Sequence, residues 1–246
     1  GAGYVLPTAE DDVVGRVSWT RARHDDTLVD IARGANLGFQ EIKLANPGVD
    51  PWLPSPGGAV RLPGLYVLPA APREGIVLNL AELRLYHYPP AAADEPRRVV
   101  THPVSAGRRD WQTPLGTTRV VRKAADPAWY PPASIRAEHA ADGDPLPRIV
   151  PPGPDNPLGR HALYLGISGY LLHGTNRPYG IGMQVTHGCL RLYPEDIAAL
   201  HESVPVDTPV TIVDQPYKAG WRGDDLYLEA HPGREAAVPD ARETEQ

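Results

Sequence analysis

Cys189 is the only cysteine among the 246 residues, and it sits in Thr186-His187-Gly188-Cys189-Leu190-Arg191, sixteen residues after the His173 of His173-Gly174-Thr175. A lone cysteine cannot staple the fold to itself, so its use must lie in the thiol. An unassisted thiol has a pKa of about 8.5 and becomes a nucleophile near neutral pH when a neighbouring base takes its proton. His173 is the candidate base. Gly188 would let the His187–Cys189 backbone present its N–H groups to a carbonyl oxygen going negative. Arg191 adds a cation nearby. These residue types at this spacing point to acyl transfer through a thioester.

Two other readings compete for the same residues. Free cysteine is among the most buried residue types, yet a core cysteine rarely has a glycine beside it, a histidine two residues before it and an arginine two after. His173, His187 and Cys189 could also be three zinc ligands. His-x-Cys is poor spacing for that, and no second cysteine or acidic ligand lies close by in the chain. Neither a metal nor a cofactor is expected.

The rest of the chain must position this chemistry. Its 29 prolines and 24 glycines put proline at about twice average usage, which argues against long helices and for a loop-rich, mainly β architecture. The net charge is -6 with no long Lys/Arg run, so the clustered basic footprint of a nucleic-acid binder is missing. No run of 18 apolar residues exists, so no transmembrane helix is expected. The opening Gly1–Pro7 has neither a basic nor an apolar leader pattern, as in a cytosolic protein or an exported one whose signal peptide is gone.

After an N-terminal segment (1–16), residues 17–64 read as a βααβ unit. Val17–Arg21 is a short strand. Thr27 and Asp30 stand at capping-box spacing before a helix with Leu28, Ile31 and Ala32 on one face. A second helix carries Ile42 and Ala45 and stops at Asn46-Pro47, and Val60–Pro63 closes the unit. The pattern Asp26-Thr27-Leu28…Ile31-Ala32, Ile42…Asn46-Pro47, Leu53…Gly57…Val60–Pro63 resembles a LysM repeat, which implies N-acetylglucosamine polymers held in a shallow groove. Asp25 replaces the usual glycine. Residues 65–75 read as a Pro-interrupted linker.

Residues 76–214 form the larger unit. Strands are expected at Ile76–Leu80 and Leu83–Tyr88, turned at Ala81-Glu82, then at Arg98–Ser105, Gly116–Lys123, Ala162–Ile167, Tyr170–His173 and Val210–Val213. Such short, punctuated strands suggest a β-sandwich or partly closed barrel. Pro194–His201 is the one convincing helix. Residues 131–157 hold eight prolines and no periodicity, and read as a lid loop. Residues 215–246 are an extension with Trp221 and Leu226–Leu228, then a polar tail from Pro232.

Among thiol enzymes, papain-like and cell-wall peptidases place Cys before His, and sortases separate His from Cys far more widely. The segment His173-Gly174-Thr175…Thr186-His187-Gly188-Cys189-Leu190-Arg191-Leu192 resembles the YkuD-type L,D-transpeptidase signature, with Thr186 in place of the commoner Ser. Gly107…Trp111-Gln112-Thr113-Pro114-Leu115-Gly116 is similar to that family's Gly…Thr-Pro-x-Gly segment. Ala71–Glu82 looks like the first strand of its ErfK-like, LysM-bearing proteobacterial branch. The resemblance covers residues 17–230. It implies a YkuD-type catalytic fold, Cys189 as nucleophile, His173 as base, the Gly174 carbonyl orienting the imidazole, and oxyanion N–H groups from His187, Gly188 and Cys189. Arg191 would shape the pocket or face a substrate carboxylate, with a structural salt bridge as the competing role. Thr186, Tyr164, Tyr170 and Trp111 would contribute to the substrate cleft, with core packing the alternative for the three aromatics. The implied substrate is peptidoglycan, with stem peptide as donor. The implied acceptors are another stem's amine, an envelope lipoprotein lysine, or water, and the implied place is the periplasm or cell envelope. The same resemblance implies a thiol susceptible to carbapenems. An idle, purely peptidoglycan-binding protein and a sortase-like anchor remain as other classes.

Overall fold

The computed structural model describes residues 1–6, 10–106, 113–181 and 190–232. The first half runs β1 (Ala2–Val5), β2 (Val13–Arg21), α1 (Leu28–Gly34), α2 (Phe39–Ala45), β3 (Ala59–Val67), β4 (Gly75–Asn79), β5 (Arg84–Tyr88), β6 (Arg98–Pro103) and β7 (Gly116–Ala125). The second half runs α3 (Ala133–Ala141), β8 (His161–Leu165), β9 (Leu171–His173), a 3-10 turn (Pro178–Gly180), β10 (Leu190–Arg191), α4 (Pro194–Ser203), β11 (Pro209–Val213), β12 (Tyr217–Arg222) and β13 (Asp225–Ala230). Nine strands form one sheet in the order β1-β6-β5-β4-β11-β7-β8-β9-β10, with β2–β3 and β12–β13 as separate two-stranded ribbons. The protein is mainly β, one nine-stranded sheet and two ribbons with few helices.

The apolar run through β4 and β5 is buried on both sides of the sheet. Ile76, Leu78 and Leu85 point into a core with Val120, Leu163, Leu172, Ile197 and Leu200. Val77, Tyr86 and Tyr88 alternate to the other face, where they meet Leu28, Ala32, Leu37, Ile42 and Val60 of the βααβ unit. Strands buried on both faces are rich in apolar residues, and the polar exceptions here, Asn79, Arg84 and His87, are themselves buried. Each of Leu28, Leu37 and Ile42 is 0% exposed, which is worth roughly 1.5–3 kcal/mol per side chain.

The helices of that unit form as their caps require. The Thr27 hydroxyl accepts from Asp30 N–H at 3.2 Å and the Asp30 carboxylate accepts from Thr27 N–H at 3.0 Å, closing the expected capping box. Asn46 ends α2, its amide donating to Ile42 O and Arg61 O and accepting from Arg61 N–H.

The strands run past their expected limits. β2 and β3 pair continuously from Val13↔Val67 to Arg21↔Ala59. Within this ribbon Gly15 has φ +77°, and a Cβ there would stand 2.0 Å from Gly64 O. Leu65–Val67 therefore belong to β3 rather than to a linker. The residues after β3 are pinned as well, with Leu68 N–H bonded to Asp12 O and Ala70 paired both ways with the Gln215 side chain. Prolines made the stretch look like a spacer, but these backbone groups go to neighbouring elements. β1 adds to the edge of the main sheet, pairing with β6, so the N-terminal segment is part of that sheet. Residues 131–157 contain a helix that the proline count concealed. Pro131 and Pro132 precede α3, where proline is tolerated, and Ala133–Ala141 is rich in good helix formers. The β12–β13 hairpin is anchored by Lys218, whose buried ammonium meets Glu82, Glu229 and the Tyr86 hydroxyl. The polar tail from residue 233 lies outside the described residues.

Candidate active site

His173 ends β9, with Ala162 of β8 on one side and Arg191 of β10, running parallel, on the other. Its carbonyl accepts from Leu192 N–H at 2.9 Å. The ring is buried, and Nδ1 lies 2.5 Å from Gly174 O. A carbonyl can only accept, so Nδ1 carries the proton and Nε2 holds the lone pair. Burial pulls the imidazole pKa down to about 4. The Gly174 carbonyl opposes that shift, and the charge of Arg191 adds to it. Near neutral pH the ring is uncharged and able to take a proton.

Two glycines set the carbonyl that orients it. A Cβ on Gly174 would lie 3.2 Å from Ile197 Cγ2 and 3.3 Å from Leu158 O. Gly159, at φ +68°, backs onto the same turn, and its Cβ would stand 2.6 Å from Thr175 N. Only residues without side chains let these two main chains touch.

β10 brings the downstream half of the motif to the same place. Leu190, the residue after Cys189, is registered beside Leu172, and Arg191 beside His173. On its other side Arg191 exchanges both backbone hydrogen bonds with Ser105, at 3.0 and 2.8 Å.

A cleft of about 740 Å³ opens over this edge, lined by His173, Arg191, Tyr164, Tyr170, Arg122 and Trp129, with α3 contributing Ile135 and His139. The β7–β8 register shifts between Val120 and Arg122. Such a bulge turns one side chain out of sequence, and here the Arg122 guanidinium lies 3.8 Å from the centroid of the Tyr164 ring. Among the described residues no carboxylate is in salt-bridge reach of Arg122. The excursion carrying α3 is closed at its base by Trp129 and Val150, which exchange backbone bonds at 2.9 and 2.8 Å. Asn156, 0% exposed, donates to the carbonyls of Pro127, Val150 and Pro151 and accepts from Leu158 N–H.

The structure thus gathers His173, Arg191, Tyr164 and Tyr170 at one cleft, with the Gly174 carbonyl against the His173 ring. Cys189, Gly188, His187, Thr186 and Trp111, with Gly107 and Gln112, lie outside the described residues. Arg122, Trp129, His139 and Asn156 escaped the sequence reading. Arg122 and Tyr164 are a cross-strand pair, which linear spacing does not show, whereas the helix-forming composition of 133–141 was a signal for α3. Among the described residues one group has metal-ligand proximity, Glu82, Glu229 and His231. The Lys218 ammonium already stands between those carboxylates, and none of the three lines the cleft.

Comparison with known sequences matches residues 73–212 to the YkuD family, described as an L,D-transpeptidase catalytic domain. The chain is 43% identical over 232 residues to YbiS of Escherichia coli K12, described as a probable L,D-transpeptidase, covering 93% of this chain and 74% of that one. It is 45% identical over 220 residues to the similarly described YcfS of the same organism, covering 87% and 68%. To ErfK/SrfK of Salmonella typhimurium it is 40% identical over 232 residues, covering 93% and 74%.

Proposed function

This chain belongs to the L,D-transpeptidase family and is an L,D-transpeptidase, and from that premise we propose that Cys189 is its nucleophile, His173 its base, and a peptidoglycan stem peptide its donor. The observation that carries this reading is His173 itself, buried, neutral and oriented by Gly174 O, one strand away from the residue that follows Cys189.

The Cys189 proton passes to His173 Nε2 as Sγ attacks the carbonyl of the third stem residue. Backbone N–H groups of His187, Gly188 and Cys189 stabilise the oxyanion. The C–N bond breaks, His173 returns the proton to the departing D-Ala amine, and a thioester remains. An acceptor amine then loses its proton to His173, forms the new amide and releases the thiol. The acceptor is another stem's diamino acid, giving a 3→3 cross-link, or a lipoprotein lysine. Water in its place gives an L,D-carboxypeptidase. Tyr164, Trp111, Thr186 and Arg191 contribute the donor pocket. The βααβ unit is a LysM module that holds glycan, supported by its β2-α1-α2-β3 order and by exposed Trp52 and Leu53 after α2. The enzyme works in the cell envelope, in the periplasm.

Incubating the protein with defined tetrapeptide muropeptides and weighing the products tests this. Release of D-Ala with cross-linked dimer is expected, and Cys189→Ala should lose at least about 10³-fold in rate while staying folded. Equal turnover by the Ala variant would remove Cys189 from the mechanism.

A further inference from the structure

The segment between Ile181 and Tyr193 contains Thr186-His187-Gly188-Cys189, and both of its ends are tied to one turn of the βααβ unit. On the upstream side Phe39 N–H donates to Ile181 O at 3.0 Å. On the downstream side the Tyr193 hydroxyl donates to Leu37 O at 3.0 Å in a fully buried contact. Ile181, Tyr193 and Leu37 are 1%, 2% and 0% exposed, so neither bond competes with water. One residue pair further out, Arg33 of α1 grips Glu195 of α4 with two hydrogen bonds of 2.9 and 2.8 Å, and its guanidinium lies over the Tyr193 ring.

We propose that the α1–α2 turn, through Leu37 O and Phe39 N–H, is a positioning element for the nucleophile segment, with Tyr193 as its partner residue. The inference rests on Cys189 being the nucleophile. The physical argument is geometric. Leu192 N–H is bonded to His173 O, so β10 is fixed to β9 by its own ladder, but that ladder is only two residues long. On its other side β10 meets Ser105 through Arg191, and both of these anchorages lie downstream of Cys189. The Phe39–Ile181 and Leu37–Tyr193 bonds hold the described residues that flank the segment to one and the same turn, on both sides of Cys189. Misplacing a reacting group by about 1 Å can cost about 10²-fold in rate, so the turn supports the chemistry without touching substrate.

Two substitutions test it. Tyr193→Phe deletes the hydroxyl and keeps the ring. Phe39→Pro deletes the N–H at the first residue of α2, where a helix accepts proline, and Gly38 already has the extended backbone (φ -82°, ψ 162°) that a residue before proline needs. Phe39→Ala, which loses the ring but keeps the N–H, is the comparison. The readouts are kcat and KM on a soluble tetrapeptide and the iodoacetamide rate of the chain's one thiol across pH, with melting temperature alongside. Tyr193→Phe should lower kcat about ten-fold with KM within about two-fold and slow alkylation near neutral pH. Phe39→Pro should lose several-fold more than Phe39→Ala. Wild-type kcat and alkylation profile in Tyr193→Phe, or a lowered melting temperature alone, overturns the proposal. If Phe39→Pro fails to fold, Tyr193→Phe decides. Alkylation needs no stem peptide. Slowed alkylation in a protein that never releases D-Ala from the tetrapeptide would therefore keep the inference and sink the donor assignment.

Discussion

Glu41→Ala should destabilise the whole protein by about 3–5 kcal/mol, the cost of leaving a buried charge without its partner. Arg84 is 1% exposed, lies on β5 of the main sheet, and reaches into the βααβ unit. Its guanidinium contacts Glu41 Oε1 at 2.7 Å and Asn36 O at 2.8 Å, and on its own side Thr101 Oγ1 at 3.2 Å. The Tyr66 ring covers it at 4.2 Å. Burial works against its charge, and the Glu41 carboxylate together with Tyr66 and Tyr86 outweighs that, holding the group above its ordinary value. An arginine cannot deprotonate to escape, so the variant must keep an uncompensated cation between two cores. The loss also removes the Glu41 bond to Gly38 N–H that caps α2. Glu41→Gln, which keeps an acceptor, should lose less, and Glu41→Leu with Arg84→Met should regain most of the difference because both charges leave together. Denaturant unfolding measures it. One cooperative transition is expected, with a lower midpoint and an unchanged slope in Glu41→Ala. A loss under about 1 kcal/mol, or separate transitions for the two units, would refute the claim that Arg84 welds them.

Deleting residues 1–67 should cost activity on soluble and polymeric substrates alike. The cut uncovers Val77, Tyr86, Tyr88 and Arg84, and undiminished turnover of a small muropeptide would argue against this. Acid should weaken the fold through His173. Its folded pKa of about 4 lies below the ordinary 6.5, so the unfolded chain binds the extra proton between those values. Stability is full above pH 6.5 and falls by about 3 kcal/mol as pH drops to 4. In His173→Gln the slope in that window should shrink, leaving the parts that His87, His102 and His201 add in the same direction and that Glu82 and His231 oppose, as read from melting temperature against pH. Asn156→Ala should cost about 2–4 kcal/mol by leaving buried carbonyls without donors and should speed proteolysis within 127–157. Wild-type protection there would show that Asn156 does not hold the excursion. A carbapenem should add its full mass to the Cys189 peptide, since the strained lactam presents a carbonyl to the thiol. No adduct on an otherwise active enzyme would show a cleft closed to it.

What the sequence offers directly is encoded over short distances. His173-Gly174 and His187-Gly188-Cys189 place a histidine and the one thiol in a set order, and the structure puts His173 beside the strand that follows Cys189. Thr27 and Asp30 define a helix start by a three-residue spacing, and proline content excludes long helices. α3 left one signal, the alanine-rich stretch after Pro132, which the surrounding prolines outweigh, so residues 131–157 read as a loop.

The docking of the βααβ unit was not legible. The apolar bias on both faces of β4 and β5 shows that both are covered, but periodicity carries no information about which segment covers them. Leu68–Glu74 looked like a tether because proline and charge are common to linkers and to pinned connections alike. What separates the two is where backbone groups bond, and that is a relation between distant residues. The same holds for the site. Arg122 meets Tyr164 through a bulge in register, Asn156 closes an excursion from its far end, and Leu37 and Phe39 reach Tyr193 and Ile181 across more than a hundred residues. Residue types and short spacings determined what chemistry this chain can do. Only the tertiary structure decided what holds that chemistry in place, because contact across such separations depends on the packing of whole elements rather than on any pattern along the chain.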